Sequence, residues 1–135
     1  MNSKNQYGVI PYIKTKKSLK IFLITSRTNG YWILPKGHLV KKKSCIESAA
    51  QEAFEEAGII GCIEGKKSYL IKYQHHGTKY KIQFFPMEVT EILKKWPEQH
   101  QRIRKLVSLN RAHELIELGS IQKCLRQWQD DLSRK

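Results

Sequence analysis

The segment that most constrains how this chain can fold is Ser44 to Gly58, where helix formers run between a start signal and a stop signal. Ser44 is placed to cap the first turn, and Glu47 three residues on completes a capping box. Gly58 supplies the left-handed residue that ends a helix. Ala49, Ala50 and Ala53 give this helix a small-residue surface that can lie close to a sheet. Strand-forming runs surround it. Tyr7 to Ile13 and Leu19 to Thr25 are rich in β-branched and aromatic residues, with Lys14 to Ser18 as the hairpin loop between them. Tyr31 to Leu34 reads as a short strand stopped by Pro35 and Gly37. Ile59 to Gln74 and Tyr80 to Val89 read as strands joined across His75 to Thr78, and a weaker strand surrounds Leu106 to Leu109. Asn110 is placed to cap a helix through Leu118. Ser120 is placed to cap another to about Leu132, with Ile121, Cys124, Leu125 and Trp128 on one face. Strands, helix, strands, helices in that order predict an α+β chain, an α/β/α sandwich with a mixed sheet between helices.

At 135 residues and with no Pro/Gly/Ser linker, residues 1–135 are expected to form a single domain. The charge is unusual: 25 Lys and Arg against 12 Asp and Glu leave a net +13, with a sequence pI near 9.8. Such a balance predicts an anionic partner, whether a phosphate-rich small molecule, a nucleic acid or a membrane surface. No apolar run approaches the ~18 residues that cross a bilayer, and Met1 to Gln6 is polar, so no membrane is expected as a partner. Cys45, Cys62 and Cys124 are odd in number and widely spaced, which predicts reduced thiols and a cytoplasmic chain. Nothing in the sequence fixes an oligomeric state.

Glu52, Glu55 and Glu56 stand at i, i+3 and i+4 of the predicted helix, which puts them on one face. Three carboxylates there repel one another unless solvent, a base or a metal relieves them, and hard cations such as Mg²⁺ or Mn²⁺ prefer oxygen ligands of this kind.

The stretch Gly37 to Ile59 resembles the Nudix hydrolase signature: Gly37, Glu52, Ala53, Glu55, Glu56, Gly58 and Ile59 fall on its fixed places without a gap. Two places depart from it. Lys43 stands where the signature has Glu and Gln51 where it has Arg, a pair that mainly supports the loop and helix in the family. Both have changed together, which suggests a differently wired support. Outside the box, Thr25-Ser26-Arg27, Trp32 to Gly37, Trp96, Arg102-Ile103-Arg104 and Ala112 are similar to the branch that hydrolyses diphosphoinositol and diadenosine polyphosphates, although Leu106 stands where that branch usually has Trp or Phe.

The resemblance implies a Nudix-like fold and Mg²⁺-dependent (or Mn²⁺-dependent) hydrolysis of a phosphoanhydride in a nucleoside-diphosphate-linked or polyphosphorylated substrate. It implies that Glu52 and Glu56 hold the metal with the Gly37 carbonyl, and that Glu55 is the leading base and a third ligand. Glu98 is a reserve base from outside the box. Arg27, Lys36, His38, Arg102 and Arg104 are the candidate substrate contacts, since Arg offers a bidentate fork and Lys a mobile charge. Lys41, Lys42 and Lys43 lie in the loop within the box; His75 and His76 are loop residues without metal spacing. Two alternatives remain: an RNA 5′-pyrophosphohydrolase, and a catalytically weakened phosphate- or nucleic-acid-binding domain. No zinc pattern, helix-turn-helix spacing or aromatic-studded RNA motif supports a dedicated nucleic-acid module.

Overall fold

The computed structural model describes residues 3–134; Met1, Asn2 and Lys135, at the ends of the expected domain, lie outside the described residues. Its spine is a parallel pair of β1 (Lys4–Lys14) and β7 (Thr78–Ile92), in register from Lys4 opposite Tyr80 to Tyr12 opposite Glu88. The remaining strands are added around this pair. On the other edge of β1, β2 (Leu19–Thr25) takes the C-terminal half and β4 (Lys36–His38) the N-terminal half, both antiparallel. β3 (Trp32–Ile33) and β8 (Arg104–Ser108) pair with β2, while β5 (Ile59–Ile63) and β6 (Tyr69–His75) pair with β7.

Helices cover both faces. Side chains alternate along a strand, so Tyr7 and Tyr12 of β1 point to opposite sides. Tyr7 meets Cys45, the first residue of α1 (Cys45–Glu52). Tyr12 packs on Trp128 of α3 (Gly119–Ser133), ring centroids 5.2 Å apart. A shorter helix, α2 (Leu109–Leu115), follows β8. Val9, Ile10, Leu23, Ile24, Ile82 and Phe84 form the buried centre, with Ala49, Ala53 and Ala57 closing one side and Ile121, Leu125 and Trp128 the other. This is the expected α/β/α sandwich. Among the described residues no helix is long and apolar enough to cross a membrane, and all three cysteines are free.

Five elements differ from the sequence reading. α3 begins at Gly119 with Leu118, not Ser120, at its cap and no side-chain bond there. The run Ile59 to Gln74 is two strands, because Gly65 takes φ +76° in the turn between them and lies beneath Ile46 of α1. Lys36 to His38, expected to be a stop, is a strand. Pro35 needs no N–H partner and gives its carbonyl to Val9 N–H at 3.1 Å, an approach open only because Gly8 has no side chain. Ser108 rather than Asn110 caps α2, accepting from Arg111 N–H at 3.2 Å, and the helix ends at Leu115. The signature helix is regular only to Glu52. Ala53–Ala57 form a π turn in which Gly58 N–H reaches back to both Ala53 and Phe54 carbonyls.

Candidate active site

The π turn places the acidic residues. Ser44 accepts from Glu47 N–H while the Glu47 carboxylate accepts from Ser44 N–H, so the capping box fixes where the helix begins. From that start, Glu52 is carried to β4, where its carboxylate lies so close to Gly37 that any Cβ there would overlap it. The extra residue in the π turn leaves Phe54 exposed and turns Glu56 inward until it is 6% exposed. Single π turns of this kind are frequent at functional sites.

Glu56 is surrounded by donors. Its Oε1 accepts from Lys36 N–H at 3.2 Å, and its Oε2 lies 3.7 Å from the Arg102 guanidinium. Arg102 is itself buried, donating to Glu98 at 2.8 Å and to the Thr25 carbonyl at 3.0 Å. Burial pushes the Glu56 carboxyl up to about 7, with Arg102 opposing and Glu52 adding to the rise. Glu52 is likewise pushed up to about 7, first by burial and then by repulsion from Glu55 and Glu98. Burial also lowers the Lys36 ammonium below the usual lysine range, against the attraction of Glu56.

A framework behind the carboxylates holds this geometry. Glu98 N–H donates to the Glu55 carbonyl at 3.0 Å, and the Trp96 indole N–H donates to the Glu56 carbonyl at 3.1 Å. The Trp96 ring covers Gly58, where a Cβ would come within 2.6 Å of it. Arg104 lies 4.0 Å over that ring and donates to the carbonyls of Ala57, Gly58 and Leu93 at 2.9–3.3 Å.

A cavity of about 160 Å³ opens beside Glu56, lined by Ser26, Arg27, Thr28, Ile33, Lys36 and Arg102. The structure therefore gathers Arg27, Lys36, Arg102, Gly37, Glu52 and Glu56 in one place. Arg27, half exposed, donates to Gln101 at 2.7 Å and lies 3.9 Å from Glu98. His38 stands exposed at the end of β4, opposite Gln6. Arg104 does not line this cavity and gives its Nη1 to backbone carbonyls. The Glu55 carboxylate is turned toward Gln51, 3.5 Å from the side-chain amide. The altered support is wired directly, with Lys43 Nζ donating to Gln51 Oε1 at 2.6 Å. Thr28 and Gln101 were not singled out by the sequence, and Thr25 and Ser26 entered it only as the lead-in to Arg27.

Among the described residues, no three His, Cys, Asp or Glu side chains are arranged to hold an ion. Glu56 is taken up by Lys36 and Arg102, and Glu55 by Gln51. The donors nevertheless suit a hard divalent cation: two carboxylates with raised pKa, Glu56 buried and Glu52 half-buried in a cradle that only glycine leaves open.

The model of the NUDIX domain family matches residues 5–129. Over 117 residues the chain is 36% identical to Nudix hydrolase 17, mitochondrial, of Arabidopsis thaliana, covering 79% of this chain and 63% of that protein. Over 125 residues it is 34% identical to Nudix hydrolase 21, chloroplastic, of the same plant, covering 87% and 62%. It thus spans a little over three fifths of the length of the curated relatives it matches. Among solved structures, a C. elegans Ap4A hydrolase binary complex superposes with TM-score 0.84 at 19% identity, covering 98% of this chain and 99% of that one. The NUDIX domain of Shewanella oneidensis NrtR complexed with ADP ribose gives 0.78 at 12%, covering 98% and 90%. These two likenesses are of fold. The matched domain, the two plant relatives and the signature glutamate Glu52 seated against Gly37 together make this chain a member of the Nudix family.

Proposed function

We propose that this chain is a Mg²⁺-dependent (or Mn²⁺-dependent) hydrolase that cleaves a phosphoanhydride bond in a dinucleoside polyphosphate or diphosphoinositol polyphosphate type of substrate. The observation that carries this reading is the pair of carboxylates, Glu52 half-buried against Gly37 and Glu56 buried between Lys36 and Arg102, at the edge of a cavity lined by cations. Glu52 and Glu56 with the Gly37 carbonyl would hold the metal, which when bound supplies charge neutralisation at the phosphate oxygens. Arg27 and Lys36 bind the substrate's phosphates, and Arg102 keeps Glu56 and Glu98 in place while facing the same cavity. Water attacks phosphorus, the bridging P–O bond breaks, and a carboxylate takes the water's proton. Glu55 is the base in this reading; Glu98 competes for the role because Arg102 fixes it beside Glu56.

Hydrolysis of diadenosine polyphosphates by the C. elegans neighbour and binding of ADP ribose by the Shewanella one make a nucleotide-linked diphosphate the first class to try. The expected cytoplasmic location is part of the proposal and rests on three free thiols; two relatives carry mitochondrial and chloroplastic in their names. Incubation with Mg²⁺ or Mn²⁺ and a panel of dinucleoside polyphosphates, nucleoside polyphosphates, diphosphoinositol polyphosphates and 5′-triphosphate RNA tests it. Release of phosphate or nucleotide from at least one member is expected, and no turnover of any would overturn it.

A further inference from the structure

The hairpin of β6 and β7 carries a charge pattern that the carboxylate site does not use. Its cross-strand pairs Leu70 with Gln83, Lys72 with Lys81 and Gln74 with Lys79 share one face of the sheet, and β1 adds Tyr7 and Asn5 to it. That face holds three lysines and no acid. Lys72 and Lys81 stand directly opposite one another, an arrangement that costs stability because like charges meet across the strands. None of the three lysines makes an ion pair or side-chain hydrogen bond among the described residues. On the reverse side Tyr73 and Tyr80 stack at 4.9 Å, 11° from parallel. At the edge of the hairpin the two sides meet in a groove of about 270 Å³ lined by Ser3, Lys72, Tyr73, Gln74, Lys79 and Tyr80.

Unpaired cations on one side of an edge strand, with stacked aromatic rings reached round that edge through the groove, offer what a single-stranded polynucleotide requires: charge to follow its backbone and π faces for its bases. A bilayer would need exposed apolar surface next to the lysines, and on this face only Leu70 supplies it, 57% exposed. The pairing also connects this surface to the carboxylates. Gly37, Tyr7, Gln83 and Leu70 form one row across β4, β1, β7 and β6, and Asn5, Lys81 and Lys72 form the next row on the same face. At the usual strand spacing Lys72 is roughly 15 Å across the sheet from Gly37.

We infer that the β6–β7 hairpin is a docking surface for single-stranded RNA, with Lys72, Lys79 and Lys81 on its phosphates and the Tyr73–Tyr80 pair receiving a base. The choice of RNA over DNA rests on the proposed function, because RNA made from nucleoside triphosphates carries at its 5′ end a phosphoanhydride of the kind the carboxylates would act on.

The test is fluorescence anisotropy of labelled oligouridine with the full chain in EDTA, where binding is read without turnover. Lys72→Glu weakens binding on the order of tenfold. The same change leaves the melting temperature unchanged or raised, because the new acid faces Lys81. Lys72→Gln and Lys81→Gln each lower the slope of log affinity against log salt by about 0.7, and Tyr80→Ala weakens binding at unchanged slope. Equal RNA affinity in wild type and Lys72→Glu overturns the inference. So does capture on phosphatidylserine vesicles with the same Lys72 dependence and no RNA binding, or equal affinity for the matching single-stranded DNA. RNA binding without turnover of any phosphoanhydride leaves this surface standing and removes the hydrolase reading; turnover without RNA binding does the reverse.

Discussion

At the scale of single residues, Gly37 is the position with least freedom. Its φ is ordinary; what it lacks is room, since the Glu52 carboxylate occupies the space of a side chain. Gly37→Ala must displace Glu52. We expect it to cost about 1–3 kcal/mol in urea unfolding and to weaken Mn²⁺ binding by calorimetry; unchanged Mn²⁺ affinity would remove Gly37 and Glu52 from the metal site. The same carboxylates set a pH dependence. Both are raised from 4.5 to about 7, so below about pH 7 they carry protons that a cation must displace. Divalent-ion affinity should therefore strengthen from pH 6 to pH 8, by up to about tenfold per pH unit for each proton displaced. An affinity flat over that range would contradict the assignment.

Among the elements, the joint between α1, its π turn and β8 decides whether Glu56 is presented. Arg104 ties three carbonyls there, and Arg104→Met keeps the stem while removing the donors. It should cost about 1–3 kcal/mol by urea unfolding. The Lys43–Gln51 bond is a second joint. Gln51→Arg alone sets two cations against each other, and Lys43→Glu together with it restores a pair. A double-mutant cycle on stability should return coupling of roughly 1 kcal/mol; zero coupling would mean the bond does not form. Here the limits of the sequence become visible. Ser44, Glu47 and Gly58 marked both ends of the signature segment because caps are local chemistry. The π turn was not legible: the widening depends on Trp96 and Arg104 holding carbonyls from residues far along the chain. The carbonyls that Arg104 binds were hidden for the same reason. An arginine's type announces a capacity to bind anions, but whether backbone carbonyls occupy it first depends on the tertiary arrangement. The coupled departure of Lys43 and Gln51 did suggest rewiring, and the structure joins the two directly.

For the whole molecule, burial separates the thiols more sharply than sequence does. Cys124 lies on the buried face of α3, and burial pushes its thiol up to about 12, whereas Cys62 is exposed. At pH 8 the Cys124 thiol stays protonated and shielded, so a thiol reagent should label Cys62 readily and reach Cys124 only as the fold opens. Equal labelling rates at the two would contradict the packing of α3. Charge is distributed on the same scale. A chain of net +13 keeps Glu52, Glu55, Glu56 and Glu98 together and sets Arg27, Lys36 and Arg102 among them. Composition announced an anionic partner but not where it sits, because only the sheet brings residues 27, 36 and 102 to the helix that carries the glutamates.

The most direct test of the account is steady-state hydrolysis of the polyphosphate panel against Mg²⁺ concentration, for wild type and Glu56→Gln side by side. The account predicts metal-dependent turnover in wild type, and a loss of roughly a hundredfold or more in the variant with an unchanged melting profile. Equal rates in the two proteins, or turnover that survives full chelation of divalent ions, would contradict it.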